Sequence, residues 1–141
     1  MTEFQAAIGR ALLPTIEGLI RGRKAMVGKL RGLFAQYKQL RLPGPFGENP
    51  WSTFPVLFPS HVDCEELQAR AHELGLQVRR YYFPTLNVGY NGSLLGEDDV
   101  CVAEAISKCS VCFPVYDRVS DVEFLEIATI IARILAEFDV T

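Results

Sequence analysis

The 141 residues are enough for one ordinary domain but too few for two full cores. With 49% hydrophobic and 22% charged residues the chain has the apolar surface to fold, which excludes a disordered polypeptide. The net charge of −3 is unevenly spread: residues 1–41 hold eight Lys/Arg against Glu3 and Glu17, so they carry +6 and the remainder −9, and the two parts are expected to meet different neighbours.

The first segment predicts helix. Ile16, Leu19 or Ile20, Val27, Leu30, Phe34 and Tyr37 recur at helical spacing with the charges between them. Pro14 divides this segment into a short helix and a long one. Gly18, Gly22, Gly28 and Gly32 fall in the long helix, each costing about 1 kcal/mol relative to Ala. Their four-residue spacing would let another backbone approach closely. Pro43-Gly44-Pro45-Phe46-Gly47 then forms a link, giving an N-terminal helical segment over 1–42 and a small α/β domain over 43–141 in one compact unit.

Beyond the link, Trp51 to Phe58 predicts a strand, and Pro55 within it points to an edge or a bulge. Asp63 with Glu66 has the pattern of a capping box, and Leu67, Ala71 and Leu74 share a helical face until Gly75 stops it. Val78 to Phe83 predicts the next strand. Asn87 to Asp98 is a Gly/Asn-rich loop, Asp99 to Lys108 a short helix, and Val111 to Tyr116 a strand. Ser120 with Glu123 opens a last helix, whose Phe124, Ile127, Ala128, Ile130, Ile131, Ile134 and Leu135 cover more than half its circumference and predict deep packing. The fold class is α+β, an α/β sandwich: a long N-terminal helix before a small, mostly antiparallel sheet packed by helices.

Most motifs that could carry chemistry fail on inspection. Cys109-Ser110-Val111-Cys112 lacks the second ligand pair that a metal site needs, so no metal is expected. With Cys64 and Cys101 these thiols are expected to be buried and reduced, in the cytoplasm. His61 and His72 stand apart from any nucleophile and fit structural roles. Glu97-Asp98-Asp99 fits a solvated turn better than a cation site. Phosphate-loop and dinucleotide fingerprints are missing. An acidic chain whose basic helix lacks interleaved aromatics argues against nucleic acid. The first twenty residues carry Glu3, lack a basic start and lack a cleavage site, so no signal peptide is expected there, and no apolar run reaches the length of a membrane span.

The stretch LQVRRYYFPTLN, Leu76 to Asn87, is different. On a strand Arg79 and Arg80 would alternate faces, so one could meet a ligand while the other points elsewhere. An arginine fork binds phosphate or carboxylate, and the rings of Tyr81 or Phe83 could stack on a base or sugar. Aromatics in the core with arginines on the surface would produce the same composition.

Three segments carry a resemblance to a known family. MTEFQAAIGRALLPTIEGLIRGRKAM is similar to a stretch in which an M-S/T-E-x-Q-A-A-x-G helix leads into a long helix bearing paired basic residues. VRRYYFP is similar to an R-R-Y-F-Y-P segment, and AEAISKCSVCFPVYDRVSD to an A-x-x-I-S-x-x-V-L-C-L-P-x-Y close. Together, from Met1 to about Leu135, they resemble the C-terminal, small domain of DegT/DnrJ/StrS-family sugar-nucleotide aminotransferases, which use pyridoxal phosphate.

The resemblance implies a domain that closes over a sugar nucleotide, with Arg79 contacting substrate and Arg80, Tyr81 and Tyr82 as further substrate-binding positions. It also implies what is missing. The family's Schiff-base lysine and most cofactor ligands lie upstream of the position matching Met1, and Lys24, Lys29, Lys38 and Lys108 match none of them. No catalytic residue and no bound cofactor are therefore expected for this chain alone. Thr85 or Leu86 replaces a frequent family histidine, and Cys101 replaces a proline. Three roles follow from the resemblance: a stand-alone remnant that pairs through its N-terminal helices as a homodimer, a fragment or complementing subunit of an enzyme whose large domain is missing here, or a free-standing nucleotide-sugar binding module.

Overall fold

In the computed structural model residues 2–44, 49–85 and 101–141 are described, Cys101 by its backbone alone. The expected Asn87–Asp98 loop, the acidic triplet at 97–99 and most of the 43–47 link lie outside the described residues.

Helix α1 spans Glu3–Leu12 and opens on a reciprocal cap between Thr2 and Gln5. Pro14 sits in a single tight turn, Leu13–Thr15, beyond which α2 runs Ile16–Phe34. The break forms where a proline removes a donor from the helical ladder, as expected. Only the second half of α2 is core: Met26, Val27, Leu30 and Phe34 are buried, while Ile16 is 42% exposed. The helical periodicity thus continues past the point where burial ends, and α1 has no buried residue at all.

Strand β1, Thr53–Leu57, pairs antiparallel with β2, Ser110–Pro114, in a register that sets Phe54 opposite Phe113 and Pro55 opposite Cys112. Isolated bridges extend both edges, Arg41 with Leu57 and Arg79 with Cys112. The second bridge explains how Pro55 is tolerated. Cys112 turns its own N–H and C=O toward Arg79, at 2.7 and 3.0 Å, so nothing on β2 requires a donor from Pro55. Phe34 of α2 covers this sheet, with its ring 4.8 Å from Phe113 and 6.0 Å from Phe54.

Helix α3, Cys64–Glu73, buries Cys64, Leu67 and Ala71. Asp63 caps it by accepting from the Glu65 and Glu66 N–H groups, and Gly75 ends it at φ +85, a conformation open to glycine. Helix α4, Cys101–Cys109, runs directly into β2. Helix α5, Asp121–Glu137, opens on the expected reciprocal cap of Ser120 and Glu123. Of the expected apolar face, Ile131, Ile134 and Leu135 are fully buried, while Phe124, Ile127 and Ile130 toward the N-terminus are only half-buried against the core; Val122 and Leu125, outside that face, are 69% and 67% exposed.

The glycine expectation resolves into one position. A Cβ on Gly22 would collide with the Asp117 carbonyl group, whose carbon would lie 2.8 Å away, whereas Gly18, Gly28 and Gly32 face open space. Gly22 therefore lets α2 touch the backbone of the β2–α5 connection, and the Lys29–Asp121 ion pair at 2.7 Å fastens the same junction.

Candidate functional site

The arginine-aromatic stretch is not the strand its composition suggests. Only Arg79 meets the sheet, and residues 81–84 turn away from it. The reason is that three consecutive residues are each held by a different element. The Val78 carbonyl accepts from Gln68 Nε2 at 3.3 Å and from His72 Nε2 at 2.9 Å, both on α3. Arg79 exchanges both backbone hydrogen bonds with Cys112 of β2. Arg80 reaches α4, where its Nη2 donates to the carbonyls of Ser107 at 3.3 Å and Lys108 at 3.0 Å.

These anchors separate the two arginines. The Arg79 side chain is exposed and makes no hydrogen bond or ion pair with a described residue. The Arg80 fork is spent on the last carbonyls of α4, a place where the helix leaves acceptors unpaired and favours a cation. Its guanidinium carbon also lies 3.8 Å from the centroid of the Phe83 ring. Tyr81 and Tyr82 stand side by side with centroids 5.2 Å apart, and Tyr82 is 75% exposed. A groove of about 530 Å³ runs along Glu65, Gln68, Arg79, Arg80, Tyr81, Tyr82, Phe83 and Pro84. The four residues singled out in the sequence thus share one groove, which also takes Glu65 and Gln68 from α3, two positions that carried no signal in the sequence.

Electrostatics beneath the groove are set by α3. Backbone N–H groups of Glu66 and Glu65 hold the Asp63 carboxyl below its usual range, with a smaller contribution from the charge of Arg80. Burial pushes the Cys64 thiol up to about 11, and the nearby Arg80 charge opposes the shift only in part. Cys64 is thus a poor nucleophile. His72, its ring nitrogen committed to Val78, is structural. Among the described residues no cluster of His, Cys, Asp or Glu could hold a metal ion, and no helix is long and apolar enough to cross a membrane.

No lysine lines the groove. Lys29 is bound to Asp121, Lys24 and Lys38 lie on α2 and in the turn after it, and Lys108 gives Arg80 its backbone carbonyl without lining the groove, so the groove does not fit an aldehyde cofactor that must be held through an amine.

Comparisons with known proteins agree with this architecture. The model of the DegT/DnrJ/EryC1/StrS aminotransferase family matches residues 1–132. The chain is 25% identical over 128 residues to the dTDP-4-amino-4,6-dideoxy-D-glucose transaminase of Escherichia coli, covering 86% of this chain and 34% of that protein. The aminotransferase TlmJ from Streptoalloteichus hindustanus superposes with a TM-score of 0.81 at 17% identity, over 95% of this chain and 36% of that one. The GDP-4-keto-6-deoxy-D-mannose-3-dehydratase of Escherichia coli, solved with bound hydrated PLP, superposes at 0.72 and 18% identity, over 88% and 33%. The fold therefore occurs with more than one reaction. The chain spans about a third of the length of each of these relatives.

Proposed function

The chain belongs to the DegT/DnrJ/EryC1/StrS aminotransferase family, and from that premise we propose that it works as the substrate-covering small domain of a sugar-nucleotide aminotransferase. In this reading it acts beside a large domain that supplies pyridoxal phosphate and its lysine, and it is inert in amino transfer by itself. The observation that carries the reading is Arg79. Its backbone is fixed by two hydrogen bonds to Cys112, while its guanidinium is unclaimed by any described residue and opens on a groove with two tyrosine rings. A permanently charged planar fork on a rigid mount suits the phosphates of a nucleotide sugar, and the rings suit its base or sugar faces. The relative from Escherichia coli is named for a dTDP-sugar, which makes that class of ligand the first to try.

Because the groove holds no lysine, no bond-making step is assigned to it. Its part is to bind, orient and shield. The apolar stripe of Phe4, Ile8, Leu12 and Ile16, spaced four residues apart on α1 and the start of α2, supports a second contact surface. Phe4 is 75% exposed and Leu12 56%, and a continuous apolar stripe of this kind on a soluble protein marks an interaction site. We read it as the face that meets the large domain, and as the face that pairs two copies of this chain when no large domain is present. The test is reconstitution: mixing the chain with a lysine-bearing large domain of the family should produce amino transfer that neither part shows alone, and no gain with any such partner would count against the proposal.

A further inference from the structure

Arg80 lines the groove, yet its fork faces the protein. We infer that Arg80 is a positioning residue: it ties the Tyr81–Pro84 turn to the end of α4, and so holds the groove's rings and the Arg79 guanidinium in place. The inference deepens the reading of the groove as a nucleotide-sugar subsite, and only its ligand arm rests on that reading.

Between the Arg79–Cys112 bridge and Thr85, the one backbone hydrogen bond of the turn among the described residues is a long one, from Phe83 N–H to the Arg80 carbonyl at 3.3 Å. Tyr81, Tyr82 and Phe83 are all exposed, at 46%, 75% and 41%, so core burial does not order them. Among the described residues, what remains is the Arg80 side chain. Its Nη2 binds the Ser107 and Lys108 carbonyls, and its plane covers the Phe83 ring at 3.8 Å. The arrangement closes a loop through the fold: α4 leads directly into β2, β2 fixes the backbone of Arg79, and Arg80 returns to the last carbonyls of α4. A cation at a helix C-terminus is favourable, and a guanidinium over an aromatic face adds to it. Lysine would keep the charge but lose the plane, so it replaces arginine only in part here. The Arg80 Nε is buried without a partner, a cost that the fork's other contacts must outweigh.

The test uses the full chain with Arg80→Gln, Arg80→Lys, Phe83→Leu and Arg79→Ala. Hydrogen exchange is followed across residues 80–85, with the buried half of α5 as an internal standard that reports any global unfolding. Losing a carbonyl pair and a stacked ring should speed exchange within 80–85, read at the hydrogen-bonded Phe83 N–H, by about tenfold to a hundredfold in Arg80→Gln. Arg80→Lys should recover part of that protection, and Phe83→Leu, which removes one half-exposed ring, should give a smaller acceleration with α5 unchanged. Arg79→Ala should leave exchange at the wild-type rate. The ligand arm is titration with dTDP, where Arg80→Gln should weaken binding although its fork faces away from the ligand. Wild-type exchange across 80–85 in both Arg80→Gln and Phe83→Leu would overturn the inference, as would a loosened turn with undiminished dTDP affinity. If wild-type protein does not bind dTDP, the nucleotide reading fails, and the exchange arm alone decides the positioning role.

Discussion

Replacing Gly22 by alanine should destabilise the protein even though it places a better helix former in the middle of α2. In a helix interior the exchange is worth about 1 kcal/mol in favour of alanine. Against this, the new Cβ would overlap the Asp117 carbonyl oxygen, with the carbonyl carbon at 2.8 Å and the Asp117 Cα at 2.9 Å. The obstacle is backbone, so it cannot rotate away; either α2 moves off the sheet or the connection carrying Asp117 shifts. Overpacking of this kind costs roughly 1–3 kcal/mol, and more when backbone must move, so the net result is a loss of about 1–2 kcal/mol. Gly28 and Gly32 lie in the same helix with nothing within 4 Å, and alanine at either should stabilise by about 0.5–1 kcal/mol. Urea unfolding followed by helical circular dichroism measures all three, with unchanged slopes required for comparison. A Gly22→Ala variant as stable as Gly28→Ala would show that α2 does not rest on Asp117.

Acid sensitivity should centre on Glu137. Hydrogen bonds from Arg70 and then Arg133 hold its carboxyl down to about 2, so its contribution to stability is fully present above its ordinary pKa of 4.5 and is lost as pH falls toward 2. Urea midpoints of Glu137→Gln should vary less with pH across that window than those of the wild type, and parallel curves would refute the assignment. Alkylation by iodoacetamide should modify half-buried Cys109 before Cys64, whose thiol burial raises to about 11, and before Cys112, which is 4% exposed; peptide mapping that finds Cys64 modified first would contradict this order. A charge in the apolar stripe, Leu12→Glu, should convert a light-scattering dimer of the chain into a monomer with its unfolding midpoint unchanged, because Leu12 supports no core. A wild-type chain that stays monomeric at high concentration would refute the pairing.

Local chemistry made parts of this fold legible in the sequence. Ser120 and Glu123, Asp63, Gly75 and Pro14 act over three or four residues, and each stands where those rules put it. Periodicity was less informative about burial: Ile16, Val122 and Leu125 continue apolar patterns yet are 42%, 69% and 67% exposed. Segment 78–84 has the composition of a strand, and its departure from one comes from contacts distant in sequence, such as Gln68 and His72 on the Val78 carbonyl and Ser107 and Lys108 on Arg80. Aromatic β propensity was overridden there by tertiary anchoring. The same distance effect hid the difference between the two arginines: adjacent in the chain, one has its fork bound to a helix end and the other is exposed. Glu65 and Gln68 entered the groove unannounced because a helix packed beside a bridge has no short-range signature.

The measurement that tests the central claim most directly is a calorimetric titration of the chain with dTDP, wild type beside Arg79→Ala. A charge-assisted fork on phosphate contributes about 1.5–3 kcal/mol, so saturable wild-type binding should weaken by roughly tenfold to a hundredfold in the variant. Equal affinity in the two proteins would mean that the exposed guanidinium of Arg79 does not read phosphate, and would contradict the account of the groove.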